Sequence, residues 1–213
     1  MTSTIAFSKF YPEVNPSVLG CPEPLMMNAV RNACIEFCND TLYWQEIQDP
    51  VDITAADLPY EIDCASATNV AQIMSISISG AAITPKSADW LDANYPGWAT
   101  AVADSPSYYY QPDPNTLVLV PAPKTTVTVI MRVAYMPARD AISVAATLYQ
   151  YYLEGIAAGA MSRLMGVPGQ PWSNAAMAEH YARMFSAAVT NGVIDANKSY
   201  DRTGVRAQFR SRH

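Results

Sequence analysis

Nucleophilic catalysis needs a nucleophile, a base within reach and a group that orients the base. The chain offers one internal histidine for that work, His180. It falls beside the apolar stripe of a helical segment, which is where a boundary histidine with a satisfied ring nitrogen sits. No Gly-rich phosphate loop and no H-E-x-x-H pair is present. Two carboxylate pairs stand close in sequence, Asp89 with Asp92 and Glu61 with Asp63. Glycoside hydrolysis requires two carboxylates held apart across a cleft, and neighbours on one turn or strand read instead as solvated surface acids. Glu154 differs because it lies among mostly apolar helical residues. It reads as half of an ion pair with Arg163 or Arg183, within one chain or between subunits.

The remaining chemistry-bearing residues are cysteines, aromatics and a basic tail. Cys34 and Cys38 are four apart on an apolar helical stripe, where free thiols act as small core groups. With Cys21 and Cys64 apart from them and no histidine near, zinc ligation is not expected. Nor does any pattern imply another cofactor. Trp90, Tyr95, Trp98 and the run Tyr108 to Tyr110 are rings of the kind that stack on sugars or bases. Only Lys86 accompanies them, which disfavours bases and leaves core packing or contact with another copy. Lys198, Arg202, Arg206, Arg210 and Arg212 make the terminus a candidate partner-binding arm; Arg202, Arg206 and Arg210 would share one face of a helix.

These residues are distributed over two blocks patterned for helix and one patterned for strand. Pro22 and Pro24 suit the first turn of a helix running to about Leu42, with Met26, Val30, Ala33, Cys34, Phe37 and Cys38 inward. The period then changes. Met74-Ser-Ile-Ser-Ile-Ser-Gly80 alternates without a break, Asp113-Pro-Asn115 signals a turn, and Val127, Val129, Met131, Val133 and Tyr135 share one strand face. Ser87 is placed to cap a short helix. From about Ser143 the helical period returns with Tyr149, Leu153, Ile156, Ala160 and Leu164. Gly166 and Pro168 end that helix, and another follows with Met177, Tyr181, Met184, Phe185 and Ala188. Small residues between Gly155 and Ala160 permit close helix approach.

The expected architecture is therefore α+β, a helical bundle with a small antiparallel β-domain inserted. Its boundaries are an N-terminal arm over 1–21, the bundle from 22–48 and 138–196, the β-domain over 49–137, and a C-terminal arm over 197–213. Half of the 213 residues are hydrophobic and only 15% are charged, lean for a surface wetted on all sides. Through Ala196 there are 18 acidic against 8 basic side chains, while from Asn197 five bases face one acid. Such a body repels nucleic acid and such a tail seeks an acidic or polar surface. No run approaches the roughly 18 apolar residues of a membrane span.

Several phrases together resemble tailed-phage head-to-tail adaptor proteins, also called connector, neck or tail tubular proteins. They are Leu58-Pro-Tyr-Glu-Ile-Asp63, Pro85-Lys-Ser87, Trp90-Leu-Asp92, Pro96-Gly-Trp98, Gln111-Pro-Asp-Pro-Asn115 before Leu117-Val-Leu-Val-Pro121, and Glu154-Gly-Ile-Ala-Ala-Gly-Ala-Met-Ser-Arg-Leu164. The resemblance covers about Pro22 to Ala196. It implies a structural virion protein rather than an enzyme. Twelve copies would form a ring beneath the portal, continuing the channel used in DNA packaging and ejection without binding DNA specifically. The C-terminal arm would dock on the portal, and the far side would meet a downstream tail or nozzle protein. Assembly would take place in the host cytoplasm, with no membrane involved. Two other readings remain open at this point. One is a receptor- or glycan-binding module using the aromatic-rich β-block; the other is a carboxylate-dependent cell-wall hydrolase.

Overall fold

The computed structural model describes residues 3–198. Five α-helices are present among them: α1 (Tyr11–Val14), α2 (Glu23–Thr41), α3 (Ala88–Asn94), α4 (Ala146–Met165) and α5 (Ala175–Lys198). The strands are β1 (Thr4–Ala6), β2 (Gln45–Ile47), β3 (Val51–Ile53), β4 (Tyr60–Glu61), β5 (Thr68–Ile78), β6 (Ala81–Pro85), β7 (Val102–Ala103), β8 (Tyr108–Tyr110), β9 (Thr116–Val120), β10 (Ala122–Pro123), β11 (Val127–Pro137) and β12 (Ser143–Ala145). The architecture is mixed α and β.

Helix α2 forms where the apolar period sets in. Pro24 occupies its first turn, and the chain leaves through Leu42 in the left-handed conformation (φ 52°). Its stripe is buried as the spacing requires, with Val30, Ala33, Cys34, Phe37 and Cys38 all fully enclosed. Helices α4 and α5 pack against each other and both contact α2. Glycines set the closeness of that packing. A Cβ on Gly155 would lie 2.4 Å from the Ala188 Cβ, and one on Gly159 would lie 2.6 Å from the Phe185 ring.

The strands form a curled, mixed sheet in the order β2-β11-β5-β6-β8-β9-β4, with β3 also on β11. Alternation decides its faces: Val129, Met131 and Val133 are buried, while Ile130 faces out. Strand β5 follows β11 antiparallel along its whole length, with two bulges that let the pair curl. Ser87 caps α3 as its position requires, its hydroxyl accepting from the Trp90 N–H (3.3 Å). Asn115 closes the turn between β8 and β9, its N–H donating to Asp113 Oδ1 (3.0 Å). One buried cluster links the sheet and the helices, running from Met131 and Ile76 through Trp44 to Phe37 and Ile156.

Four features depart from the sequence expectations. First, residues 1–21 do not all form an arm. β1 pairs with β12, and Phe7, Phe10, Val14 and Val18 lie in the core. Pro12 and Pro16 break this stretch into short turns and hide the spacing of its apolar residues. Second, the strand pairing is not purely antiparallel: β6 and β8 pair parallel in the large sheet, and β7 and β10 pair parallel in a separate two-stranded one. Third, α5 extends through Lys198, past the boundary expected at Asn197. Fourth, Met177 and Met184 are 37% and 40% exposed, because α5 meets the other helices through Phe185 and Gly192 instead.

Candidate functional site

Of the basic residues expected in a docking arm, Lys198 is the exposed last residue of α5. Arg202, Arg206, Arg210 and Arg212 lie outside the described residues. The second expected constellation, Glu154 with Arg163 and Arg183, is not brought together within one chain. Arg163 on α4 forms an ion pair with Glu36 on α2, donates to the Gly159 carbonyl (2.6 Å) and lies over the Phe185 ring of α5 (5.5 Å). It thus joins three helices through a single guanidinium, whose several donors suit such a role. Arg183 pairs with Glu179 one turn earlier (2.9 Å), and Glu154 is exposed.

Several of the aromatic residues pack against one another, closer to the core-packing expectation than to an open stacking surface. Trp90 meets Tyr108 edge-on at 5.3 Å and Trp98 meets Tyr110 at 5.6 Å. Lys86 Nζ sits 4.1 Å from the Trp90 ring centre, a cation–π contact. The Trp98 indole N–H donates to Asp92 Oδ1 (2.7 Å). Asp92 is therefore committed to a structural bond. These rings brace α3 against β8, which leaves less open ring face for a sugar.

The thiols of Cys34 and Cys38 are free and fully buried in the helical core. Burial pushes both well above the ordinary thiol value, with Cys38 adding to the effect at Cys34. Thiols held protonated this way are poor nucleophiles and poor ligands. No group of three or more His, Cys, Asp or Glu is placed to hold a metal ion among the described residues. His180 is exposed, with its ring edge-on to Tyr181 at 5.5 Å.

A small cleft of about 340 Å³ opens beside Tyr43, Tyr152 and Asp195, near the C-terminal end of α5. There the Tyr152 hydroxyl donates to Asp195 Oδ2 (2.5 Å), and burial followed by that carboxylate holds the phenol protonated. Tyr152 is also the point where α4 departs from helical geometry (φ −129°, ψ 20°). A phenol held protonated in this way is a poor nucleophile.

What the helices present instead is a set of exposed apolar side chains. Tyr151 on α4 and Met177, Met184, Val193 and Ile194 on α5 are all exposed. Sequence reasoning placed the two methionines inside and so missed their exposure. Its signal was the apolar content of α5 on more than one side. No helix among the described residues is long and apolar enough to cross a membrane. A family model described as SU10 adaptor protein matches residues 19–209. No curated protein matches the chain.

Proposed function

The chain belongs to the SU10 adaptor protein family, a phage head-to-tail adaptor family, and from that premise we propose that it forms a ring joining the portal to the tail. The observation that carries this reading is the family match over residues 19–209. An adaptor is a structural component of the virion, and contact with other virion proteins follows from that role. The finer statements are ours: a helical bundle bearing a β-domain, twelve copies in a closed ring, and a channel that continues the path of DNA.

The physical character of the chain supports it. A closed ring repeats one head-to-tail contact between two different patches of the same chain. Exposed Tyr151, Met184 and Ile194 are apolar surface of the kind such contacts cover. An acidic body beside a channel offers DNA no phosphate contacts, so DNA slides without sticking. The basic segment from Lys198 to Arg212 is the portal-docking element. Its arginines pair with carboxylates in two-pronged geometry, and repetition around a ring multiplies weak individual contacts. Glu154, exposed and unmatched by Arg163 or Arg183 in its own chain, remains a candidate for a bond between subunits.

Assembly without this protein tests the reading. Phage heads made in its absence should fill with DNA yet fail to join tails, and adding the purified chain should restore infectious particles. Tails that attach equally well in its absence would overturn the proposal.

A further inference from the structure

Helix α5 turns four positions, three or four residues apart, towards the other helices. Phe185 lies against Gly159, Ala188 against Gly155, and Gly192 against Phe37, each too close for a Cβ on the glycine. Asp195 is the fourth, and its Oδ2 accepts the Tyr152 hydroxyl of α4 (2.5 Å). The stripe is therefore apolar and tight until its last member, which is a carboxylate. Three residues later α5 reaches Lys198, the first member of the basic segment.

Local physics disfavours an aspartate there. Asp195 stands in the last turn of α5, at the negative end of the helix dipole, and aspartate is a weak helix former. A partner is needed to offset both effects, and Tyr152 supplies it. Its ring is buried and held by two others, meeting Phe37 at 4.7 Å and Tyr43 at 4.9 Å. The hydroxyl is thus presented at a fixed point. A hydrogen bond to a charged acceptor is also stronger than one to a neutral acceptor.

We propose that Tyr152 is a positioning residue for the portal-docking segment: its bond to Asp195 latches the last turn of α5 and so fixes where residues 199–213 leave the body. The inference rests on the reading of that segment as the docking element. A terminal segment binds more tightly when its root is already held, because less ordering remains to be done on binding. The same latch in every copy presents the roots at equivalent points of a ring. The bond does little for the core itself. Asp195 is exposed, and the Tyr152 ring stays packed without its hydroxyl.

The test compares the purified full-length wild type with Tyr152→Phe, Asp195→Ala and Asp195→Asn. Each is followed by hydrogen exchange, by thermal melts and by attachment to portal-bearing phage heads. Helix propensity and the dipole both predict that alanine at 195 slows exchange at the end of α5. The latch predicts the opposite. Asp195→Ala and Tyr152→Phe should each speed exchange of the amides of residues 193–198 by about fivefold, with melts as wild type. Both should weaken attachment to heads by about threefold or more. Asp195→Asn keeps a carbonyl acceptor and should fall between. Exchange at 193–198 that is unchanged or slower in Asp195→Ala would overturn the inference. So would faster exchange with attachment at wild-type strength, which leaves the docking reading intact but removes the latch from it. Attachment at wild-type strength after removal of residues 199–213 would instead remove the docking reading and this inference together.

Discussion

Gly192 of α5 sits against the ring of Phe37 on α2, so closely that a Cβ there would lie 2.7 Å from the Phe37 Cζ and 2.8 Å from the Thr41 Cγ2. Phe37 is fully buried, and its ring also meets Tyr152 of α4 at 4.7 Å. The contact therefore ties together helices separated in sequence by the whole strand block. Replacing Gly192 by alanine forces that ring to move. Despite the higher helix propensity of alanine, Gly192→Ala should destabilise the fold by about 1–3 kcal/mol in chemical denaturation. A stabilised variant would show that α5 does not press on α2.

Phe37→Ala removes the other half of the same contact. The cavity left in a closed three-helix junction should cost about 3–5 kcal/mol. A loss below about 1 kcal/mol in urea titration would place Phe37 outside any common core.

Much of this core was legible in advance. The α2 stripe, the alternation of β11 and the Ser87 cap each depend on local spacing, and each is present. The N-terminal segment was not legible as core. Phe7, Phe10, Val14 and Val18 are spaced three or four apart, but prolines divide them among separate turns and only tertiary packing joins them. The orientation of α5 failed for a related reason. Gly192 and Phe185 make its closest approach, and a glycine adds nothing to an apolar stripe.

Buried thiols and phenols both make stability fall on the alkaline side, the thiols first because their ordinary value is the lower. Cys34 and Cys38 are raised from an ordinary value of 9.0 by burial, so the folded state keeps them neutral while the unfolded chain ionises them. The stability they contribute is complete below pH 9.0 and is lost as pH rises above it. Each thiol adds a slope of up to about 1.4 kcal/mol per pH unit. Urea midpoints should be level from pH 7 to 8 and fall towards pH 10, and Cys34→Ala with Cys38→Ala should flatten that fall. A midpoint that does not change by pH 10 would contradict burial of the pair.

Removing residues 199–213 tests the docking arm separately from the body. The shortened chain should unfold at the wild-type midpoint, because it keeps every core residue found among the described residues. It should nevertheless fail to attach to portal-bearing heads. Attachment at wild-type strength would move the docking surface elsewhere.

The central claim is that copies of this chain close into a ring on the portal. The mass of the particle formed by the full chain with its portal partner decides it most directly. The account predicts an added mass that is a whole multiple of 23.2 kDa, with twelve copies present. Addition of a single copy, or no stable complex, would contradict it.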